Sequence, residues 1–214
     1  MLTFLHGFLG VQEDWNEVTK EFDEPMRFLT LPGHKDKSLN FEEFEDEIGS
    51  GVTLVGYSMG GRIAMHYALK YPNRVSKLIL LSANPGESGE ERLAKDESWA
   101  QLLETDGIDL FLKKWYAQPL FKTLKIDRSK QGHHAENLAK ILRKVSPARL
   151  PNLWNRLDEF SCPVMFLFGE NDIKYRSIGT KLQDNFEVKW IPKSGHAVHI
   201  ENPKACSKYI MEAL

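Results

Sequence analysis

The chain has 214 residues, 42% of them hydrophobic, enough to bury most of its apolar surface in one compact domain. Two cysteines, Cys162 and Cys206, are too few and too far apart for a disulfide framework or a CxxC site, so a reducing, cytoplasmic setting is expected. A net charge of −2, with no recognised nucleic-acid motif and no run of about 18 apolar residues, excludes a nucleic-acid binder and a membrane-spanning chain.

The opening "MLTFLHGFLG" has a short apolar run with no basic lead-in and no small-residue cleavage site, so it reads as a core strand rather than a signal peptide. Similar runs follow in "RFLTLPGH", "TLVGYS", "KLILLSANPG", "VMFLFGEND" and "VKWIPKSGH", each ending in turn residues. Between them, helical patterns span Trp15 to Phe22, Phe41 to Ile48, Gly60 to Tyr71, Tyr175 to Gln183 and Pro203 to Ala213. Strands alternating with helices predict an α/β fold: a mostly parallel, six-stranded sheet with helices on both faces. About 70 residues separate the fourth strand from the fifth, far more than one crossover needs. That segment, Glu87 to Phe160, carries its own helical stretches, "EERLAKDESWAQLLE", "IDLFLKKWYAQ", "AENLAKILRKV" and "LPNLWNRLDEF". It is expected to be a helical lid (87–160) within a single domain (1–214).

Charge is unevenly distributed. Residues 1–50 hold 12 acidic side chains against 4 basic, and residues 122–156 hold 9 basic against 2 acidic. The second run is either a solvated helix face or a surface that attracts an anion.

In "TLVGYSMGGRIAMHYAL", Ser58 stands between Gly56 and Gly60, after a strand and before a helix. This GxSxG setting is that of a nucleophile elbow, where a strained turn exposes the serine hydroxyl. A serine becomes a strong nucleophile or base only when a histidine takes its proton and an acid orients that histidine. Asp172 in "FGEND", with Glu170 as the rival acid, and His196 in "KSGHAVHIENP" follow in the order serine, acid, histidine, each beyond a later strand. An oxyanion hole would use the N–H groups of Met59 and Phe8, with Gly7 allowing close backbone approach. His6 is expected to orient its loop, His66 to sit mid-helix, and His199 to line the pocket; His133 and His134 lack partners for a metal site. Arg62, one helical turn past Ser58, is expected to reach a substrate carboxylate, the blander alternative being a surface arginine. No GxGxxG follows a strand, so no cofactor is expected.

These residues resemble the α/β-hydrolase superfamily and, within it, the 2-succinyl-6-hydroxy-2,4-cyclohexadiene-1-carboxylate synthases of menaquinone biosynthesis. The carrying motifs are "FLHGFLG", "LPGH", "LVGYSMGGRIAM", "ERLAKDESWA", "WYAQPLF", "FGENDIKY" and "IPKSGHAVHIENP", which run over almost the whole chain. The resemblance implies a lyase that expels pyruvate by abstracting a ring proton, its serine acting as a base without an acyl-enzyme. It implies Ser58, Asp172 and His196 as triad, Phe8 and Met59 as oxyanion hole, and Tyr57, Arg62, Arg92 and Trp115 as contacts for a small anionic substrate. The family's third arginine has no clean equivalent, with Arg128 or Lys130 in its place. The implied strand order is 4-3-5-6-7-8 in the family's labels. Two rivals remain on the sequence: a carboxylesterase with the same triad, which would not need Arg62 and Arg92, and a binding protein, which would gain nothing from a strained serine. Oligomeric state is not legible.

Overall fold

The computed structural model describes residues 1–214. Six strands, β1 (Leu2–Leu5), β2 (Met26–Leu29), β3 (Val52–Tyr57), β4 (Val75–Leu81), β5 (Val164–Gly169) and β6 (Glu187–Ile191), form one sheet in the order β2-β1-β3-β4-β5-β6. Every pairing is parallel, with Leu54 opposite Leu78 and Leu80 opposite Phe166. This is the expected architecture and order.

Side-chain parity divides the core in two. Leu54, Leu78, Leu80, Phe166 and Phe168 face one cluster of 33 buried residues, and Val55, Ile79, Leu81, Met165 and Leu167 face another of 16. Alternate residues of a strand point to opposite faces, so continuous apolar strands require a cover on each. Short α1 (Asn16–Thr19) supplies Val18 to the smaller cluster, and α7 (Pro203–Glu212) supplies Cys206 and Ile210. Helices α2 (Phe41–Ile48), α3 (Met59–Lys70) and α6 (Ile173–Leu182) cover the larger one through residues such as Phe44, Ile63 and Ile178. No helix is long and apolar enough to cross a membrane.

Between β4 and β5, the stretches expected as two helices run together as α4 (Glu90–Tyr116), broken only at Gly107, whose φ of 80° a side chain would disfavour. Then come a 3₁₀ turn at Pro119–Phe121 and α5 (Ala135–Lys144). The helix expected in "LPNLWNRLDEF" is absent. A 3₁₀ segment, Trp154–Glu159, stands there. The helix expected from Trp15 to Phe22 is also shorter, a 3₁₀ turn at Gln12–Trp15 running into α1 and ending at Thr19.

Five residues other than glycine have positive φ: Leu9, Lys35, Ser58, Ser82 and Lys193. Each lies in the connection that follows the carboxyl end of a strand: β1, β2, β3, β4 and β6 in turn. That is the edge of a parallel sheet where ligands bind.

Candidate active site

Ser58 occupies the turn between β3 and α3 with φ 49° and ψ −107°, outside the comfortable regions for an L-residue. Its neighbours must be small. A Cβ on Gly56 would meet the Gly61 Cα at 2.7 Å, one on Gly60 the His6 carbonyl at 2.4 Å, and one on Gly61 the Ala83 Cβ at 2.6 Å. The elbow is held by the Ser58 N–H, which donates to the Leu81 carbonyl of β4 at 2.8 Å.

His196 Nε2 lies 3.1 Å from Ser58 Oγ, and His196 Nδ1 lies 2.9 Å from Asp172 Oδ2. The other Asp172 oxygen accepts the Tyr175 N–H at 3.1 Å, so the same carboxylate caps α6. With Asp172 accepting at Nδ1–H, Nε2 is left bare to take the serine proton. Glu170, the rival acid, instead receives the Lys193 N–H at 3.3 Å. The loop carrying His196 is gripped by Glu201, whose two oxygens accept the N–H groups on either side of the histidine, Gly195 at 2.9 Å and Ala197 at 3.1 Å.

The Phe8 and Met59 amides make no hydrogen bond to a protein acceptor, and both residues line the cavity that contains Ser58 and His196. Two unspent N–H groups there can stabilise an oxygen that gains negative charge.

That cavity has a volume of about 710 Å³ and is walled by Tyr57, Trp99, Trp115, Tyr116 and Phe121 on its apolar side. Trp115, half-buried with its ring 5.1 Å from that of Phe8 and stacked on Phe111 at 5.3 Å, lines it, as do Arg62, Arg92 and Arg128; Lys130 does not. The arginines differ in company. Arg92 is paired with Asp96 at 3.0 Å and Glu87 at 2.9 Å, and Arg128 forks onto Asp14 at 2.7 and 2.8 Å. Arg62 has no carboxylate partner: one Nη donates to the Val145 carbonyl at 3.2 Å and its Nε has none at all. Burial pulls this guanidinium below its usual range, yet arginine stays cationic in proteins. It is a buried charge with no carboxylate bonded to it, and a ligand carboxylate would complete it.

The basic run of residues 122–156 contributes less to the cavity than its charge suggests, because only Lys122 and Arg128 line it. Arg143 is taken up by Glu97 and Glu104, and Arg156 by Glu159. The expectation that His199 lines the pocket is also wrong. It lies beneath Tyr57 and against Trp15, at ring separations of 4.2 and 4.8 Å, and neither nitrogen has a partner. Sequence reasoning passed over Glu201 and His34 and weighed His133 only as a metal ligand, yet all three hold the backbone around the site. The His in "LPGH" and the Glu in "HIENP" were visible only as motif letters.

The chain matches the model of the alpha/beta hydrolase family over residues 4–208. It is 31% identical to "Protein PHYLLO, chloroplastic" of Arabidopsis thaliana, covering 94% of this chain and only 14% of that much longer protein. It is 32% identical to 2-succinyl-6-hydroxy-2,4-cyclohexadiene-1-carboxylate synthase of Escherichia coli O1:K1, over 94% of this chain and 88% of the relative. Among solved structures, MenH from S. aureus superposes with a TM-score of 0.88 at 32% identity, covering 99% of this chain and 91% of the other.

Proposed function

The chain belongs to the alpha/beta hydrolase family, and from that premise we propose that it acts as a 2-succinyl-6-hydroxy-2,4-cyclohexadiene-1-carboxylate synthase, a lyase of menaquinone biosynthesis. The substrate is 2-succinyl-5-enolpyruvyl-6-hydroxy-3-cyclohexene-1-carboxylate, and the co-product is pyruvate. The near full-length relatives that bear this synthase's name support the reading. The observation that carries it is Arg62, a buried cation without a carboxylate partner in the cavity that Ser58 opens into. An esterase for neutral esters has no use for such a charge.

The proposed chemistry asks each residue for one task. His196 Nε2 accepts the Ser58 proton while Asp172 steadies the imidazolium that forms. Ser58 Oγ then takes the ring proton adjacent to the succinyl carbonyl, and the Phe8 and Met59 amides stabilise the enolate oxygen. Collapse of the enolate moves the ring double bond and breaks the C–O bond to the enolpyruvyl group. That group takes the proton held on His196 and leaves as the enol of pyruvate, which returns His196 to its neutral form; the ring proton on Ser58 makes its hydroxyl whole. No acyl-enzyme is needed. Arg62 and the aromatic wall hold the carboxylates and the ring. The two cysteines, Cys162 half-buried and Cys206 buried, are free, in keeping with a reducing cytoplasm.

The test is to supply the succinyl-enolpyruvyl substrate and couple pyruvate to lactate dehydrogenase, with p-nitrophenyl esters in parallel. Fast pyruvate release with feeble ester cleavage is expected, and Ser58→Ala should abolish both. Rapid ester turnover without pyruvate would make the protein a carboxylesterase.

A further inference from the structure

Near the cavity, His6, His34 and His133 form a buried row, with ring centroids 4.8 Å apart for the first pair and 5.4 Å for the second, each edge to face. His6 follows β1, His34 follows β2, and His133 comes from the segment between β4 and β5. None touches the triad. What they touch is the backbone of the loop that carries Phe8.

In each ring one nitrogen accepts a backbone N–H, and this settles the tautomer. His6 Nε2 accepts Leu31 N–H at 3.0 Å, so its Nδ1–H donates to the Gly7 carbonyl at 2.7 Å. His34 Nε2 accepts Leu9 N–H at 3.1 Å, and its Nδ1–H donates to the Pro32 carbonyl at 3.2 Å. His133 Nδ1 accepts Lys35 N–H at 3.2 Å, and its Nε2–H donates to the Leu9 carbonyl at 3.2 Å. Burial holds all three below their ordinary titration range, His6 at about 3, so each keeps one bare and one protonated nitrogen at neutral pH.

The carbonyl that His6 draws back belongs to the same rigid peptide as the Phe8 N–H. The Gly10 N–H pulls on that carbonyl too, at 3.0 Å. With the oxygen held on one side, the N–H is turned to the other. Leu9, the next residue, is fully buried in a left-handed conformation, φ 62°, which a leucine does not hold unaided. His34 grips its N–H and His133 its carbonyl. A second tie lies alongside: Arg128, from the same segment as His133, forks onto Asp14, whose Oδ2 accepts Val11 N–H at 3.0 Å.

We infer that His133, acting through Leu9, is a positioning residue by which the 87–160 segment holds the Gly7–Phe8 peptide with its N–H toward Ser58, and that His34 and His6 are the remaining links. The inference rests on the proposed use of the Phe8 amide as an oxyanion donor. It makes competence of the hole depend on seating of the lid. A lid that lifts at His133 frees the strained Leu9 and lets the donor peptide turn.

The test compares His133→Ala, His133→Gln and His134→Ala in the full chain. The last is a control, since His134 is exposed and pairs only with Asp36. Losing an oxyanion donor outright costs about 100- to 1,000-fold in kcat, so loosening one should cost on the order of tenfold. His133→Ala should therefore lower kcat for pyruvate release about tenfold with KM changed less than about twofold. His133→Gln, whose amide can still donate to Leu9, should recover most of it. Exchange of the Leu9 amide hydrogen, followed by NMR without substrate, should quicken in the Ala variant and not in the other two. Because that signal needs no turnover, it judges the relay even if the protein releases no pyruvate. A rise in KM alone, with Leu9 exchange as in the wild type, would reduce His133 to a wall of the lid and overturn the inference.

Discussion

His199 is a basic side chain sealed where it can neither ionise nor hydrogen-bond: it is 1% exposed, both ring nitrogens lack partners, and burial lowers its pKa from 6.5 to about 3. Replacing it with Leu, close to it in volume, should leave stability near pH 7 unchanged or raise it by about 1 kcal/mol, since an unsatisfied buried polar group is removed. The larger effect lies in acid. Below about pH 6.5 the unfolded chain protonates His199 and the folded chain does not, so the wild type loses about 1.4 kcal/mol per pH unit from this residue until the pH nears 3. The variant escapes that loss. Its advantage should grow to about 2.7 kcal/mol two units below 6.5. Urea unfolding followed by tryptophan fluorescence at a series of pH values measures the difference directly. An advantage that stays flat from pH 6.5 down to about 4.5 would show that His199 is hydrated or paired in solution, and the argument from burial would fail.

Asp172→Asn should cut kcat by several orders of magnitude while leaving α6 capped through the amide oxygen, so far-UV circular dichroism should not change; loss of the helix signal would mean a folding defect instead. Arg62→Met should raise KM for the tricarboxylate far more than for a neutral p-nitrophenyl ester, and Arg62→Lys should rescue poorly for want of the planar fork. Equal effects on both substrates would remove the anion contact. Glu201→Gln, which keeps one acceptor for the Gly195 and Ala197 amides, should lower kcat about tenfold at nearly constant KM, and Glu201→Ala should lower it further; indifference of kcat to both would show that the His196 loop holds itself.

The sheet was legible because each strand is a short apolar run closed by turn residues, and because parity hides nothing when both faces are buried. Ser58, Asp172 and His196 were legible for a related reason: each follows a strand, so the place of the strands announces the place of the side chains. The long insertion resisted. Whether "LPNLWNRLDEF" continues as an α-helix after Pro151 depends on what packs against it, and an apolar period cannot say. Charge misled in the same way, since Arg143 is taken up by Glu97 and Glu104 and Arg128 by Asp14, partners that only the folded chain brings near. His34 and His133 lay 99 residues apart in the chain and gave no joint signal; their meaning rests on which backbone groups they meet.

The positive-φ residues gathered at one edge of the sheet have a bearing on how such a protein can be improved. Leu9, Lys35, Ser58, Ser82 and Lys193 each hold a backbone shape that a glycine would adopt with less resistance, and each such residue costs roughly 1 kcal/mol or more. Lys35 and Lys193, which are not buried, would lose little else in that exchange, whereas Leu9 is fully buried and a glycine there would leave a cavity costing more than the strain it removes. A selection for heat resistance alone that reached the turns around Phe8 and Ser58 would relax the geometry proposed to face a substrate, and its survivors would be sturdier and slower. Variants chosen for survival at high temperature need a simultaneous screen for turnover, or a library confined to the amino-terminal edge, where no such tension is stored.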